Sequence, residues 1–305
     1  MPEPRRTPAL LAVLLSASAC LGQASPAAAL VVAGASPTDP ALADALAAMG
    51  RWEDDAAAVA VAPDWVLTTR HQGSASTVTF GGVAYTPLAN TPGGPENVRN
   101  LGQDLRLVRL VDASGAPAAL ASTLSVATGP VTAGTLVTLG GFGPTRGGFN
   151  QDGFDWAGPL GNANGPLAGT NTLVQVGTLG PSSGPYAGMA ALAAVFDEPG
   201  DAGVLPSEAT VAPGDSGGFW LVGDALNGYE IAGLSHAVEL RSERDNDPDP
   251  AVVERPASQA FYSQVLLAAD ATPFASEINA IPEPASAAWL AGGFGLLARR
   301  RRRHA

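Results

Sequence analysis

The chain has 305 residues, of which 46% are hydrophobic and only 14% are charged, with 37 glycines and 26 prolines. This length supports one large domain or two small ones with a real core. The composition favours a loop-rich all-β protein over a helical bundle or a disordered chain. Residues 31–280 carry nine arginines against 26 acidic residues, a formal charge of −17. Such a body repels phosphate backbones, which excludes nucleic acid as an expected partner.

The first 29 residues have the pattern of a secretory signal peptide. Two arginines form a basic end, residues 9–15 are apolar, and Ala24 or Ala29 ends a small-residue cleavage site. We therefore expect export and removal of this segment by signal peptidase. The small residues before Cys20 leave lipidation of that cysteine open. Without lipidation the mature chain has no cysteine, and it must be stabilised by packing rather than by disulfides.

A short helix is predicted next, followed by strands. Asp39 is the expected cap, Pro40 the first helical residue and Gly50 the stop. From residue 56 onwards, short apolar runs alternate with glycine, proline and asparagine turns, which predicts two packed β-barrels. The predicted strands are Ala57–Ala62, Trp65–Thr69, Thr77–Phe80, Val83–Tyr85, Asp104–Val111, Val131–Gly140, Asn171–Val176, Met189–Phe196, Phe219–Val222 and Ile231–Ala237.

Two polar segments between the strands contain oxygen-bearing side chains. Gly141–Gly165 includes Asn150, Asp152 and Asp155, and Asp245–Pro250 alternates acids with proline. Calcium takes such oxygen ligands, but neither segment has the spacing of a dedicated calcium loop. A surface loop is the favoured interpretation of both, and no metal ligand is predicted.

The stretch Ala212–Leu221 places a serine, Ser216, in the run Gly-Asp-Ser-Gly-Gly before an apolar strand. Glycines on both sides allow the backbone to lift the hydroxyl out of the turn while N–H groups point to one position. Nucleophilic catalysis at serine needs this arrangement of an exposed oxygen with donors for a developing oxyanion. A polar surface loop is the alternative interpretation of the stretch alone.

A serine nucleophile needs a base, usually a histidine that is oriented by a third group. The chain has three histidines, and His304 lies in an arginine-rich tail, which leaves His71 and His236 as candidates. His71 ends the apolar run Trp-Val-Leu-Thr-Thr-Arg-His, where a strand breaks into a turn. Asp104 opens the alternating run Asp-Leu-Arg-Leu-Val-Arg-Leu. Taken singly, a surface histidine and a solvated turn aspartate are the ordinary interpretations of these two residues.

The three segments together resemble the trypsin/chymotrypsin-like serine proteases, whose His, Asp and Ser motifs occur in this order. The resemblance covers residues 31–280 and implies two six-stranded antiparallel β-barrels with a short C-terminal helix. It implies Ser216 as nucleophile, His71 as general base and Asp104 as the group that orients the imidazole. The N–H groups of Gly214 and Ser216 would form the oxyanion hole, and no cofactor or metal is needed.

The same resemblance implies a specificity pocket. Ile-Ala-Gly-Leu-Ser-His-Ala matches the family's strand that pairs with the substrate backbone. Thr210 would lie at the floor of the pocket, and Ser235, His236 and Ala237 would line its side. Thr210 is not an acid, which argues against a preference for Arg or Lys, and Ala237 in place of glycine favours small or medium side chains. A packed strand histidine is the alternative role for His236.

The segment Val-Val-Ala-Gly that begins at Val31 is similar to the amino terminus that activated members of the family insert beside the acid before the nucleophile. That acid is Asp215 here, and a buried acid needs a compensating partner. The expected signal cleavage leaves Leu30 in front, and Ala33 replaces a glycine. Activation by cleavage before Val31 therefore stays a hypothesis, and the mature amino terminus would test it.

Residues 281–305 resemble a PEP-CTERM sorting signal, with a Pro-Glu-Pro motif, an apolar run at 286–298 and five arginines at 299–303. An apolar segment followed by arginines has the logic of a stop-transfer helix with its basic end in the cytoplasm. The resemblance implies a Gram-negative bacterium, insertion in the inner membrane and recognition by an exosortase. It implies delivery to the cell-envelope surface or the extracellular matrix.

The sequence therefore predicts a signal peptide at 1–29, a protease domain at 30–280 and a sorting signal at 281–305. Within the domain, the first barrel is expected at about 31–115 and the second at about 131–270. The predicted function is hydrolysis of peptide bonds in proteins or peptides by a secreted serine endopeptidase, through an acyl-enzyme. The alternative is a weak or inactive protease-like protein that binds or adheres in a surface matrix.

Overall fold

The protein is built mainly of short antiparallel strands. The computed structural model describes residues 31–32, 37, 39–53, 56–150, 153–157, 165–178, 188–201, 203–242, 259–262 and 264–281. Its elements in chain order are β1 (Val31–Val32), α1 (Pro40–Ala47), β2 (Met49–Trp52), β3 (Ala56–Ala62), β4 (Trp65–Thr69), β5 (Val78–Phe80), β6 (Val83–Pro87), β7 (Val98–Gly102), β8 (Leu105–Val111), β9 (Leu136–Gly141), β10 (Thr145–Asn150), β11 (Gly153–Ala157), β12 (Leu167–Thr178), β13 (Ala190–Val195), β14 (Ala209–Thr210), β15 (Phe219–Asp224), β16 (Gly228–Ser242), β17 (Gln259–Phe261), β18 (Gln264–Asp270) and α2 (Ala275–Ile278), the last preceded by a 3₁₀ turn (Thr272–Phe274).

The first barrel closes through six strands in the order β4-β3-β2-β5-β6-β8, with β8 returning to β4. The strand β7 lies beside β6 along the other edge of β8. The second barrel is the closed ring β12-β13-β18-β16-β15-β9. The predicted fold of two six-stranded antiparallel barrels followed by a short C-terminal helix is confirmed.

Two smaller pairings lie outside the barrels. The strand β11 pairs with β10 on one side and with β17 on the other, and β1 pairs with β14, just before the nucleophile segment. A separate aromatic cluster lies by the three-stranded sheet and contains Phe154, Phe196 and Tyr262. The rings of Phe196 and Tyr262 are stacked, with centroids 5.3 Å apart.

The predicted helix forms, but its predicted end is wrong. Asp39 caps it, with a side-chain oxygen that accepts a hydrogen bond from the Ala41 N–H at 2.9 Å. The helix ends at Ala47, and Met49 and Gly50 belong to β2 instead, because they pair with β3. Gly50 serves packing rather than termination: a Cβ there would lie 2.5 Å from the Phe80 ring.

Several strand boundaries also differ from the prediction: β12 begins at Leu167 rather than Asn171, and β16 runs from Gly228 to Ser242 rather than from Ile231 to Ala237. The strand predicted from Val131 begins at Leu136, because Thr132–Thr135 form a turn closed by a 3.1 Å hydrogen bond between their backbones. Near the end of the domain, β17 joins the three-stranded sheet and β18 joins the second barrel. The signal peptide, Cys20, Asp152, Asp245–Pro250 and residues 282–305 lie outside the described residues. The longer helix in the described part of the chain, α1, has eight residues, and neither helix there is a candidate membrane span.

The largest apolar core joins the two barrels. It includes Met49 and Leu67 from the first barrel, Phe219 and Leu234 from the second, and Ile278 from α2. All five residues are at most 2% exposed. The relative position of the barrels therefore depends on shared side-chain packing, which fixes the groove between them.

Replacement of Phe219 tests this shared core. Phe219→Ala should lower the free energy of unfolding by about 3–5 kcal/mol, because it removes a fully buried ring between the barrels. Leu226→Ala is the matched control, since Leu226 is 93% exposed, and it should change the value by less than about 0.5 kcal/mol. Urea unfolding followed by tryptophan fluorescence measures both, and equal effects would contradict the role assigned to Phe219.

Candidate active site

The end of β4 and the start of β8 bring the predicted base and the predicted acid together. The two strands are antiparallel neighbours, and Thr69 pairs with Leu105. One residue further, the Arg70 N–H donates to the Asp104 carbonyl at 2.7 Å. Asp104 has a φ of +64°, a left-handed conformation that aspartate tolerates better than most residues. This turn directs its carboxylate back toward His71.

The nucleophile segment follows β14 and leads into β15. The Ser216 carbonyl accepts a 2.8 Å hydrogen bond from the Ala57 N–H of the first barrel. The Gly217 N–H donates to the Ser235 carbonyl of the second barrel at 2.9 Å. Gly217 has a φ of +78°, and a Cβ on it would lie 2.1 Å from the Ala57 carbonyl oxygen. A glycine is therefore required directly after the serine, and the serine is held by both barrels.

His71, Asp104 and Ser216 form one hydrogen-bonded chain. His71 Nδ1 lies 2.5 Å from Asp104 Oδ2, and His71 Nε2 lies 3.0 Å from Ser216 Oγ. The other carboxylate oxygen of Asp104 accepts the His71 backbone N–H at 3.0 Å. The structure thus brings together the three residues that the sequence suggested as catalytic.

The electrostatics of Asp104 determine the imidazole tautomer. Burial opposes the charge, but hydrogen bonds from His236 and His71 outweigh it and lower the pKa of Asp104 to about 2. An ionised carboxylate can only accept hydrogen bonds, so His71 Nδ1 carries a proton. In neutral His71 the Nε2 atom then has a lone pair directed at the Ser216 hydroxyl. This is the state in which a histidine can act as a base.

A second imidazole on the same carboxylate was not predicted. His236 Nδ1 lies 2.7 Å from Asp104 Oδ2, and the rings of His71 and His236 are 5.2 Å apart in a T-shaped arrangement. The neighbouring Ser235 hydroxyl accepts a hydrogen bond from Trp220 Nε1 at 3.0 Å. The sequence signal was that His236 is one of only two histidines outside the arginine-rich tail and lies in β16, the second strand after the nucleophile.

The backbone at Gly214 and Ser216 can act as an oxyanion hole. Gly214 has a φ of +95°, which an L residue rarely adopts. Among the described residues, none accepts a hydrogen bond from the N–H of Gly214 or Ser216. Two unpaired backbone donors beside a serine hydroxyl are what a developing oxyanion needs.

A cavity of about 80 Å³ lies beside the serine. Its lining includes Ser216, Ser235, His236 and Ala237, of which the last three were expected to form the specificity pocket. Thr210, which the resemblance placed at the floor, is not among the lining residues. It is fully buried in β14, where it pairs with β1. The remaining lining residues are Val211, Ala212, Pro213 and Asp215.

Asp215, directly before the nucleophile, is fully buried. Its carboxyl oxygens accept the N–H groups of Gly143 at 2.6 Å and Ala212 at 2.8 Å. Burial nevertheless raises its pKa to about 7, against the effect of these two hydrogen bonds. The strand β1, which begins at Val31, pairs with the segment five residues upstream of this carboxyl.

Comparison with known proteins adds little about function. No family model matches the chain, and no curated protein matches it. Among solved structures, it is similar to the active form of the M. tuberculosis protease Rv3671c, with 16% identity and a TM-score of 0.47 over 83% of this chain and 90% of that one. The inactive form of the same protease gives 17% identity and a TM-score of 0.45 over 82% and 99%. A likeness at this level concerns the fold alone.

Glu208, a buried acid eight residues before Ser216, should make the free energy of unfolding depend on pH. Burial raises the pKa of Glu208 from 4.5 to about 7. The folded state therefore holds this proton more tightly than the unfolded state, so its stabilising effect is complete below pH 4.5 and is lost as the pH rises through about 7. In Glu208→Gln, the fall in the free energy of unfolding across this window should be shallower, by up to about 1.4 kcal/mol per pH unit.

Urea unfolding at a series of pH values measures this slope. Leu226→Ala, at an exposed residue that has no titratable group, provides the control and should keep the slope of the original protein. Identical slopes for all three proteins would show that Glu208 does not titrate as expected.

Proposed function

We propose that the protein is a serine endopeptidase that hydrolyses peptide bonds through an acyl-enzyme. The proposal depends on one observation, the position of His71 between Asp104 and Ser216 at 2.5 and 3.0 Å. A histidine with a buried carboxylate on one ring nitrogen and a serine hydroxyl on the other is arranged to move a proton between the serine and a leaving group.

The reaction follows from this arrangement. Ser216 Oγ attacks the scissile carbonyl carbon while His71 Nε2 takes the hydroxyl proton, and Asp104 stabilises the resulting imidazolium. The N–H groups of Gly214 and Ser216 donate to the oxyanion. His71 then gives the proton to the leaving amine as the C–N bond breaks. A water molecule, deprotonated by His71, hydrolyses the ester and restores the hydroxyl.

The cavity beside Ser216 supports a substrate with a small side chain before the scissile bond. An engineered apolar cavity of about 150 Å³ binds benzene, whereas this cavity has about 80 Å³. It therefore accommodates a side chain of a few carbon atoms. Ala237 in β16 is one of the residues that line this cavity, so its methyl group helps to set the space left for the substrate side chain.

We also propose that the chain is exported and sorted to the envelope surface of a Gram-negative bacterium. The support is sequence alone: the basic and apolar start of the chain, and the Pro-Glu-Pro motif, apolar run and arginines at its end. On this proposal, signal peptidase and an exosortase process the two ends, and the inner membrane holds the chain between the two steps.

A fluorophosphonate probe, which reacts with activated serines, tests the enzyme directly. The original protein should be labelled, Ser216→Ala should not be labelled, and His71→Ala should be labelled far more slowly. Ser276→Ala, at an exposed serine of α2, is the matched control and should react like the original protein. Asp104→Asn should reduce turnover of a peptide substrate by a factor on the order of 10⁴, because the wrong tautomer then faces the serine.

Near-ultraviolet circular dichroism shows whether each variant is folded. A folded protein that the probe never labels, or labelling that survives Ser216→Ala, would reject the proposed enzyme. The first result would favour the alternative of a protease-like binding protein.

Cleavage of a peptide library tests the pocket. The original protein should prefer alanine, serine or valine before the cut, and Ala237→Gly should raise relative kcat/KM for leucine and phenylalanine about tenfold, because one methyl group leaves the cavity. Ala225→Gly, at the exposed β15–β16 turn, is the matched control. An unchanged profile in Ala237→Gly would contradict the assigned pocket.

A further inference from the structure

Three potential metal ligands meet at Asp104. The ligand atoms of His71, Asp104 and His236 all lie within 4.8 Å of one another. Both Nδ1 atoms face the same carboxylate oxygen, at 2.5 and 2.7 Å. Two imidazole nitrogens and one carboxylate are a common protein ligand set for zinc. We call these three residues the His-Asp-His cluster.

We propose that the His-Asp-His cluster is a regulatory site for a divalent transition metal of the zinc class, whose binding reversibly blocks the proposed enzyme. The binding is independent of the proposed function, whereas the inhibition rests on it. The side chain of His71 is 27% exposed and that of His236 is 11% exposed. An ion can therefore approach from the side of His71, although Asp104 itself is buried.

The cluster can accept the ion with a small movement. Zinc lies about 2.0–2.2 Å from nitrogen and oxygen ligands, so tetrahedral ligands are separated by about 3.3 Å. The present separations of 2.5 and 2.7 Å must therefore open by roughly 0.6–0.8 Å. The second oxygen of Asp104 can keep its hydrogen bond to the His71 N–H, which holds the carboxylate in place. Water would complete the coordination.

Metal binding changes the imidazole tautomers without net loss of protons. A metal binds Nδ1 through an electron pair that is now engaged in the Nδ1–H bond. In each neutral histidine the proton must therefore move to Nε2 through solvent. His71 Nε2 would then donate to Ser216 Oγ, which lies 3.0 Å away. This hydrogen bond orients the ligand, as outer-shell partners of zinc histidines do. It also removes the base, because Nε2 can no longer take the serine proton.

The ligand chemistry selects the ion. Imidazole suits zinc and its transition-metal neighbours, whereas calcium and magnesium take oxygen ligands. The positive charge of Arg106, whose guanidinium interacts with Asp104, repels every divalent cation alike, so imidazole ligation decides which ion binds. We therefore expect inhibition by Zn²⁺ and Co²⁺ and none by Mg²⁺ or Ca²⁺ at the same concentration.

Binding is tested in full-length, tag-free Ser216→Ala, which keeps all three ligands but has no nucleophile. Calorimetry should show one Zn²⁺ per chain at this site, and Zn²⁺ should displace Co²⁺ with loss of its visible absorption. Adding His236→Gln should weaken the affinity about 100-fold or more, since even loss of an outer-shell partner costs 10–100-fold. Adding His304→Gln, at the remaining histidine, should leave it unchanged.

A ¹⁵N spectrum of the imidazole nitrogens distinguishes metal binding from a structural change. Zinc should shift both His71 and His236 to the Nε2–H tautomer, which a structural change alone would not do. If His236→Gln fails to fold by circular dichroism, Asp104→Asn in the same background removes the anionic ligand instead. Absence of stoichiometric binding, or binding that a folded ligand variant retains, overturns the site.

The regulatory effect is tested with the fluorophosphonate probe on the protein with Ser216 intact. Zn²⁺ should suppress labelling, EDTA should restore it, and folded His236→Gln should need at least tenfold more Zn²⁺ for the same suppression. Labelling that zinc leaves unchanged at saturation overturns the inhibitory role. A protein that is never labelled but still binds zinc through the cluster would reject the proposed enzyme and retain the metal site.

Discussion

The buried charge of Asp104 is the feature on which the site depends. Its carboxylate accepts one backbone N–H and faces two imidazole Nδ1 atoms, so its charge is compensated although its side chain is removed from water. The same contacts close the turn after β4 and determine which nitrogen of His71 faces the serine. Loss of these donors would leave an uncompensated buried anion, which costs several kcal/mol. The local fold and the chemistry of the site therefore depend on the same hydrogen bonds.

A second constraint is the position of the serine between two separately closed barrels. Its carbonyl is bonded to Ala57 in the first barrel, and the next residue is bonded to Ser235 in the second. A further bond joins the two barrels, since the Gln103 side chain accepts the Ala190 N–H at 2.6 Å. Together with the shared core around Phe219, these bonds fix the distance from His71 to Ser216. Side-chain packing far from the reacting atoms therefore affects catalysis, because it sets the distance between His71 and Ser216.

Much of this arrangement could be predicted from the sequence, because the segments of His71, Asp104 and Ser216 each lie near a strand end and are distinctive in combination, although His71 and Asp104 are not distinctive alone. The contact between His236 and Asp104 could not be predicted. The pairing of β16 with β18 shifts register between Ser235 and Ala237, so His236 lies at an irregularity. Such bulges redirect side chains and have no period in the sequence. The sequence also could not show that Gly50 leaves room for the ring of Phe80.

The histidine at 236 has two opposing physical consequences. As a neutral donor, its Nδ1–H stabilises the Asp104 anion, while the neighbouring Ser235 hydroxyl accepts a hydrogen bond from Trp220. A tryptophan at this position would have only one ring donor and no lone pair for a metal. The imidazole keeps such a lone pair available after a change of tautomer. His236 therefore stabilises the buried charge of Asp104 while its Nδ1 carries a proton. Once that proton has moved to Nε2, the same imidazole can serve as the third ligand of a cation.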